Sequence, residues 1–500
     1  MAIAEMILFM PWNRNRRVAL LQRIAPGLRI ASPPQASPSR PIQPREILTY
    51  AILLALFLAL SGCSAVNSIP GSNAGNGGTS TTNAGNFTTT VFLGDSLTAG
   101  FQNGSLLDSQ QPHGYADLLA QQANFSLTLP LIAAPGAPAV LKLVSLGPPP
   151  VIQQSTGITT GRDDVTAQAT DLAVPGALLH DLMNTAPVPI PSTNEEIITE
   201  LVLGFPGLAE GKAYTQVQWA IALKPTTIFI WAGNNDALDA DSAGVPSAMT
   251  PLASFTADFT QLMTTLAQQT TAHLVVANIP DVTLIPYLTP AATVIANGVT
   301  QSGLTAAVVS QKLGIQTGDL VNPTGMAEVT PILTSKQAGP ITDAGFLSAA
   351  EITQVQQAIL AYNLVIQQQV QAVGGTLVDI HALFTQTASA GITVNGTTAN
   401  FNFLGGIFGL DGIHPTNTGY ALLANQFIDN MNADIKTTIP DVDLSVVATA
   451  DPLFPPNQAA TAGHARTAPM PAHMPAWTQA PMHIPAAAGK SLDWMFTPSR

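Results

Sequence analysis

Two segments, one early and one late in the sequence, contain residue types that could carry nucleophilic catalysis. The early one is Gly94-Asp95-Ser96-Leu97, which follows the apolar run 88–93. A serine at the turn from a strand to a helix is exposed, and its backbone N–H lies at the positive end of the helix dipole, where it stabilises developing negative charge. The alternative is that Ser96 only caps the following helix.

The late segment, 411–415, could supply a general base. Asp411 stands three residues before His414 in a loop bounded by glycine and proline. An aspartate there can accept the imidazole Nδ1–H, which fixes the tautomer and leaves Nε2 free to take a proton from a serine. The alternative is a solvated turn with an incidental histidine. Among the eight histidines, only His414 has this setting.

Two segments between them could donate hydrogen bonds to an oxyanion. Gly176 lies in 174–177 (VPGA) and could offer its backbone N–H without steric obstruction. Asn235 lies in 233–236 (GNND) and could offer its side-chain amide. Each segment alone is also consistent with a simple turn, because glycine, asparagine and aspartate favour turns.

The elements that must position these segments alternate in type along the chain. Short β-rich runs occupy 88–93, 169–174, 226–231, 273–279 and 376–380. Helical patterns occupy 115–124, 212–224, 253–270, 348–373 and 418–433. Buried strands alternating with helices predict a parallel sheet in a three-layer α/β/α sandwich. Ligands bind such sheets beyond the carboxyl ends of the strands, where Ser96, Gly176 and Asn235 are expected.

The order Ser, Gly, Asn, Asp-x-x-His resembles the SGNH hydrolases, also called GDSL-type lipases and esterases. The matching blocks are GDSL (94–97), the glycine of AVPGA (Gly176), GNND (233–236) and DGIHP (411–415), and the resemblance covers roughly 88–440. It implies a flavodoxin-like fold with a five-stranded parallel sheet. It also implies an enzyme, a serine ester hydrolase that needs no cofactor or metal.

The resemblance assigns a role to each matching residue. Ser96 would attack an ester carbonyl, His414 would act as general base and then acid, and Asp411 would orient His414. The backbone N–H groups of Ser96 and Gly176 and the side-chain amide of Asn235 would hold the oxyanion. The remaining acids of the blocks, Asp95 and Asp236, would order the neighbouring loops.

The match departs from the family pattern in its second block, where Asp171 stands in place of a frequent asparagine and Pro175 precedes the glycine. These departures affect the local geometry expected for the Gly176 donor. The stretches GDSLTAGFQNG, VVANIPDVTLIPYL and ILTSKQAGPITD are similar to a subgroup of lipid-anchored bacterial GDSL proteins.

The N-terminal region resembles a bacterial lipoprotein signal. Basic residues precede the uncharged apolar run 47–60, which is too short to span a bilayer comfortably. The run leads into Leu60-Ser61-Gly62-Cys63, which is similar to a lipobox. The alternative is a buried helix with an inert thiol. We therefore expect residues 1–62 to be an extension and signal peptide, and Cys63, the sole cysteine, to be lipidated.

The remaining organisation follows from composition. Residues 63–87 are predicted to be the lipidated cysteine and a flexible tether, 88–450 the hydrolase domain, and 451–500 a disordered tail rich in Pro, Ala, Met and His. A lipid anchor implies the bacterial cell envelope. Because Ser64 is not aspartate, the signal resembles one for the outer membrane.

Charge limits the partners. The 500-residue chain has a net charge of −13, and its region 47–450 contains 26 acidic and seven basic residues. A surface this acidic excludes nucleic acid as a plausible partner. The single arginine of this region, Arg162, is expected to form a surface ion pair. The sequence gives no indication of the oligomeric state.

The substrate class depends on two segments that exceed the minimal fold, 125–151 and 281–347. Either could cover the cleft, and an apolar cover would favour lipid-like or short- to medium-chain acyl esters. The alternatives are a carbohydrate O-acetyl esterase and a non-catalytic envelope binding protein of the same fold. A serine peptidase is disfavoured, because the motif set matches esterases.

Overall fold

A computed structural model describes residues 85–147 and 149–464 of the chain. The predicted signal peptide (1–62), the predicted lipidation site Cys63, most of the tether and residues 465–500 lie outside this range. The predictions for those segments therefore remain predictions.

A parallel sheet of four strands forms the centre of the fold, in the order β1-β4-β5-β9. Its register pairs Thr90 with Thr227, Thr227 with His273, and Val275 with Thr376. Every residue of the first three of these strands is buried, as expected for a sheet covered on both faces. The strands of the described chain are β1 Thr90–Gly94, β2 Leu141–Ser145, β3 Val151–Gln154, β4 Thr227–Trp231, β5 His273–Ala277, β6 Thr289–Pro290, β7 Leu320–Val321, β8 Phe346–Leu347, β9 Thr376–Val378, β10 Ile392–Val394 and β11 Thr397–Ala399.

The fifth predicted strand, 169–174, lies beside β1 but pairs with it at one position only. The Phe92 N–H donates to the Thr170 carbonyl (2.9 Å), and the Leu172 N–H donates to the Phe92 carbonyl (3.0 Å). These bonds form a single parallel bridge between Phe92 and Asp171. One further ladder bond forms, from the Val174 N–H to the Gly94 carbonyl (3.1 Å), but the Gly94 N–H bonds the side chain of Gln216 rather than the Leu172 carbonyl. The sheet therefore has four strands and a fifth segment in the expected position.

Two layers of helices flank this sheet. Helix α1 packs on α12, while α4 and α10 pack on α6. The helices of the described chain are α1 Tyr115–Ala123, α2 Asp181–Asn184, α3 Asn194–Leu203, α4 Gln216–Leu223, α5 Asn234–Ala243, α6 Leu252–Gln269, α7 Ala291–Ser302, α8 Ala306–Leu313, α9 Pro323–Leu333, α10 Ala349–Val373, α11 Ile380–Ala390, α12 Asn417–Asp434, α13 Leu444–Ala450 and α14 Gln458–His464. This arrangement confirms the predicted α/β/α architecture.

The longest helix, α10, shows how the sequence determines these elements. Ser348 and Glu351 form a capping box at its start, and Gly374 ends it with φ +68°. Its buried side chains recur at spacings of three and four residues, which places them on one face of the helix. They are Val355, Ile359, Tyr362, Ile366 and Val370.

The segment 281–347 forms a small core of its own. Helices α7 to α9 pack around Val294, Val309 and Ile332, and strands β6, β7 and β8 make a small antiparallel sheet. The segment is joined to α5 by Asn322, whose side-chain amide donates to the Asp241 carbonyl (3.0 Å). Its apolar residues therefore pack mainly against one another.

Within the described part of the chain, no single helix is long and apolar enough to cross a membrane. Helices α7 and α8 meet the length and composition criteria only when taken together, and they are bent by 113° relative to each other.

The predicted disorder of 451–500 is wrong for its first part, because 451–464 is folded. The buried Asp451 carboxylate accepts hydrogen bonds from the Thr418 N–H (2.8 Å) and hydroxyl (2.7 Å) at the start of α12. Leu453 packs in a small cluster with Leu143 and Leu410. The prediction rested on the composition of the whole tail, which does not reveal a few anchoring residues. The domain extends at least to 464.

The expected surface ion pair of Arg162 is also wrong. The side chain is buried, and its guanidinium donates to the carbonyls of Ala167 (2.6 Å), Phe205 (3.3 Å) and Val202 (3.4 Å). Two of these carbonyls lie at the C-terminal end of α3, where a cation is favourable. Arg162 therefore stabilises a helix end.

Candidate active site

Ser96 lies in a series of tight turns directly after β1. The Ala99 N–H donates to the Asp95 carbonyl and the Phe101 N–H to the Ser96 carbonyl, both at 3.1 Å. The predicted exposed serine at a helix start is wrong on both points. Ser96 is 4% exposed, and the next helical segment begins only at Gln111. The Asp95 carboxylate accepts the Leu97 N–H (3.0 Å), a local bond that competes with helix formation.

His414 lies in a loop closed by backbone pairing. Phe408 and Pro415 form an antiparallel bridge, and the Gly409 N–H donates to the His414 carbonyl (2.8 Å). Gly412 adopts φ +71°, and a Cβ atom at this position would lie 2.9 Å from the backbone nitrogen of Tyr287. Only glycine meets both constraints, so the segment 281–347 restricts the shape of this loop.

A continuous chain of hydrogen bonds joins the early and the late segment. His414 Nε2 lies 2.8 Å from Ser96 Oγ, although the two residues are 318 positions apart. His414 Nδ1 lies 3.0 Å from Asp411 Oδ2. Since a carboxylate accepts from Nδ1–H, Nε2 is left to accept the serine proton. Phe101 packs against the imidazole with ring centroids 4.6 Å apart and restricts its rotation.

Asp411 is an ionised carboxylate despite complete burial. Its Oδ1 accepts the N–H groups of Ile413 and His414 (both 2.9 Å), and its Oδ2 accepts the Gly104 N–H (2.6 Å) in addition to the imidazole. Burial raises the pKa of Asp411, but the imidazole of His414 and these donors outweigh burial and hold the pKa below 3.8. A charged Asp411 fixes the tautomer of His414.

Asn235 lies at the start of a helix rather than in a simple turn. Gly233 is the N-cap residue of α5 and adopts φ +98°, and Asn235 occupies the first turn of α5. Its side-chain amide donates to the Ala177 carbonyl (2.9 Å), which uses one of the two amide protons. The start of α5 therefore places the positive end of its helix dipole at Asn235.

The second block connects the first block to the third. The Val174 N–H donates to the Gly94 carbonyl (3.1 Å), and the Ala177 carbonyl accepts from Asn235. Gly176 lies between these two links with φ +80°, which glycine adopts without strain. The structure thus brings together the segments that contain Ser96, Gly176 and Asn235.

The two supporting acids are buried beside the site and connect its loops. Asp95 accepts from the side-chain amide of Asn234 (2.8 Å), and burial raises its pKa to about 6 against the effect of this bond. Asp236 accepts the Leu179 N–H (2.8 Å), and burial raises its pKa as well. Both positions agree with an ordering role.

The sequence reasoning missed Gln216, the first residue of α4. Its Oε1 accepts the Gly94 N–H and its Nε2 donates to the Gly94 carbonyl, both at 2.9 Å. The capping box of Thr215 and Gln218 marks the helix start in the sequence. Nothing in the sequence marks a partner that lies 122 residues away.

The remaining described histidines do not join the chain of hydrogen bonds. His180 is exposed and lies 3.3 Å from Asp258, while His273 is buried and bonds the Thr376 hydroxyl (2.9 Å). In the ranges 85–147 and 149–464, no group of three or more His, Cys, Asp or Glu residues is arranged to hold a metal ion.

Comparison with solved structures finds similar chains at low identity. An α/β-hydrolase enzyme from the metagenome of Lake Arreo, Spain, is 12% identical with a TM-score of 0.31, and the alignment covers 69% of this chain and 94% of that one. An acetyl xylan esterase variant from Geobacillus stearothermophilus is 13% identical with a TM-score of 0.30, and the alignment covers 70% of this chain and 96% of that one. Phospholipase A1 from Streptomyces albidoflavus is 16% identical with a TM-score of 0.30, and the alignment covers 69% of this chain and 99% of that one.

The family assignment does not depend on these structures. A search of curated proteins finds no match. The family model for GDSL-like lipases and acylhydrolases matches residues 90–427, which is more than half of the chain and includes all four blocks. The chain therefore belongs to the GDSL-like lipase/acylhydrolase family of serine ester hydrolases.

Proposed function

We propose that this protein hydrolyses carboxylic esters with Ser96 as nucleophile, His414 as general base and acid, and Asp411 as the group that orients His414. One observation carries the proposal, the chain of hydrogen bonds from Ser96 Oγ through His414 to the ionised Asp411. It contains a nucleophile, a base within hydrogen-bond reach and a group that fixes the base.

The reaction would proceed in two halves. Ser96 Oγ attacks the ester carbonyl while its proton passes to His414 Nε2, and Asp411 stabilises the imidazolium that forms. His414 then gives this proton to the leaving alcohol, which leaves an acyl-enzyme. In the second half, water attacks the acyl group and passes its proton to His414, and Ser96 departs with that proton as the acid product is released.

The oxyanion would be held on the opposite side of the site. We assign this role to the backbone N–H groups of Ser96 and Gly176 and to the amide of Asn235. The start of α5 adds its dipole to the Asn235 donor. Such donors stabilise charge that develops only in the transition state, so they act on kcat.

The decisive experiment is Ser96→Ala assayed with p-nitrophenyl esters. The expected result is a loss of at least about 10⁴-fold in kcat with an unchanged melting temperature. Ser389→Ala is a matched control, because this exposed serine bonds only a carbonyl of its own helix, and it should keep full activity. Turnover in Ser96→Ala close to that of the wild type would refute the catalytic assignment and favour a binding protein.

The substrate class is proposed more coarsely, as lipid-like or short- to medium-chain acyl esters. The 4% exposure of Ser96 favours a small acyl group, so a carbohydrate O-acetyl esterase is the second candidate. A series of p-nitrophenyl esters from acetate to decanoate, run beside acetylated xylan, separates the two. Turnover that rises with chain length supports the first candidate. Activity confined to acetyl groups, with release of acetate from xylan, supports the second.

We also propose that the protein is lipid-anchored in the bacterial cell envelope through Cys63. The sequence Leu60-Ser61-Gly62-Cys63 after the apolar run 47–60 supports this, together with the absence of any other cysteine from the sequence. In a bacterial host, labelled palmitate should enter the wild type and fail to enter Cys63→Ala. Label incorporated equally into both proteins would refute the anchor.

A further inference from the structure

The short fifth segment supplies no backbone acceptor for one N–H of β1, that of Gly94, two residues before Ser96. The bonds of Phe92 to Thr170 and Leu172 follow a parallel ladder. In the next step of that ladder, the Gly94 N–H would donate to the Leu172 carbonyl. The Gly94 N–H instead donates to Oε1 of Gln216 (2.9 Å).

Gln216 bonds both backbone groups of Gly94. Its Nε2 donates to the Gly94 carbonyl (2.9 Å), which also accepts the ladder bond from the Val174 N–H (3.1 Å). One primary amide therefore supplies the missing acceptor and a second donor to the same residue. The side chain is 1% exposed, and its backbone is fixed at the first position of α4 by the capping box. Both bonds are therefore shielded from water and held in a defined geometry.

Gly94 determines where the nucleophile lies. A Cβ atom on it would come 2.3 Å from the Trp231 carbonyl and 2.6 Å from the Thr98 hydroxyl, so the backbone is closely surrounded. Ser96 follows two residues later. The Gly94 carbonyl also accepts from Val174, two residues before Gly176. A displacement of Gly94 would therefore move the nucleophile and one proposed oxyanion donor together.

We propose that Gln216 is a positioning residue for ester hydrolysis. Its Oε1 takes the place of the Leu172 carbonyl as acceptor for the Gly94 N–H, and its Nε2 adds a second donor at the Gly94 carbonyl. The two bonds together set the distance between Ser96 and Gly176. The inference rests on the function proposed above, because it assumes that these two residues act on one carbonyl group.

The first test is Gln216→Met, which keeps the side-chain length and removes both hydrogen bonds. Misplacement of reacting groups by about 1 Å lowers rates by about 10²-fold. We expect kcat for p-nitrophenyl acetate and butyrate to fall about 10- to 100-fold, by the same factor for both esters, with KM changed by less than about twofold. Gln218→Met is the matched control, since it lies on the same helix, is exposed and loses only a capping bond.

The second test uses Gln216→Glu and a pH series. The introduced carboxyl, when protonated, can accept the Gly94 N–H and donate to the Gly94 carbonyl, whereas its ionised form opposes that carbonyl with a negative charge. Burial and the acids that line the same recess, Asp181 and Glu195, favour the protonated form. The ratio of variant to wild-type kcat should therefore rise as the pH falls from 8 to 5. A residue with a purely structural role would not produce this ratio.

Two results would overturn the inference. One is a folded Gln216→Met with kcat within about twofold of the wild type. The other, which decides the matter if Gln216→Met does not fold, is a Gln216→Glu ratio that stays flat across the pH series. Failure of the proposed function is distinguishable, because it would appear as activity retained in Ser96→Ala.

Discussion

Two buried aspartates, one on each side of the candidate active site, have pKa values shifted in opposite directions. Asp411, on the histidine side, accepts four hydrogen bonds and has its pKa lowered below 3.8. Asp95, on the serine side, accepts two, and burial raises its pKa to about 6. Burial alone would raise the pKa of both. At Asp411 the imidazole of His414 and the four donors outweigh burial, whereas at Asp95 burial outweighs two donors.

Two further buried aspartates extend this comparison. Asp171 accepts one hydrogen bond, from the Ala173 N–H (3.1 Å), and burial raises its pKa to about 8. Asp241 has no hydrogen-bond partner for either carboxylate oxygen among the described residues, and burial raises its pKa well above 3.8. Among these four aspartates, Asp411 accepts the most hydrogen bonds, and it is the one for which the proposed chemistry needs a charge.

The largest effect is expected for Asp411→Asn. The amide keeps the shape of the side chain but presents a donor to the imidazole, which favours the tautomer that cannot accept the serine proton. We expect kcat for p-nitrophenyl acetate to fall about 10⁴-fold, with little change in KM. A loss of less than about tenfold would contradict the role given to the charge.

The next largest effect is expected for Asn235→Ala, on the serine side. Removal of one oxyanion donor lowers kcat by about 10²–10³-fold. Asn184→Ala serves as control, because Asn184 is exposed on α2 and bonds the carbonyl of His180. An equal and small effect of both substitutions on kcat would remove Asn235 from the oxyanion site.

A smaller effect is expected for Asp95→Asn, the counterpart of Asp411→Asn. Since Asp95 bonds Leu97 and Asn234 rather than a reacting group, kcat should fall by less than about tenfold. The two variants, assayed side by side, test the comparison directly. Equal losses in kcat would show that contact with His414 does not distinguish Asp411 from Asp95.

The smallest effect, on stability alone, is expected for Asp171→Asn. Between pH 3.8 and about 8 the unfolded chain loses the Asp171 proton while the folded chain keeps it, so the free energy of unfolding falls as the pH rises through this window. Asp171→Asn has no carboxyl group at this position, so its free energy of unfolding lacks this fall. Its melting temperature relative to the wild type should therefore rise from pH 4 to pH 8, by about 2 °C or more.

Ser389→Ala supplies the control for this measurement, because it removes no titratable group. It should show a difference in melting temperature that does not depend on pH. The same flat result for Asp171→Asn would mean that Asp171 is ionised in the folded protein.

The parts of the structure that the sequence predicted are those in which neighbours in sequence are also neighbours in space. The turn after each buried strand and the Asp411-x-x-His414 spacing are local patterns, so the four blocks and the α/β/α order could be inferred. The short fifth segment, the carbonyl partners of Arg162 and the folded 451–464 depend on contacts between distant segments. Composition and periodicity do not report such contacts.

The amide of Gln216 has a second consequence, for the behaviour of the sheet toward other chains. A strand edge with free N–H and C=O groups is a template on which a second polypeptide can add a strand and begin aggregation. At Gly94, the last residue of β1, the N–H is bonded by the side chain of Gln216, and the carbonyl is bonded by both Val174 and Gln216. Gly94 therefore offers neither a free N–H nor a free carbonyl on which a second chain could add a strand.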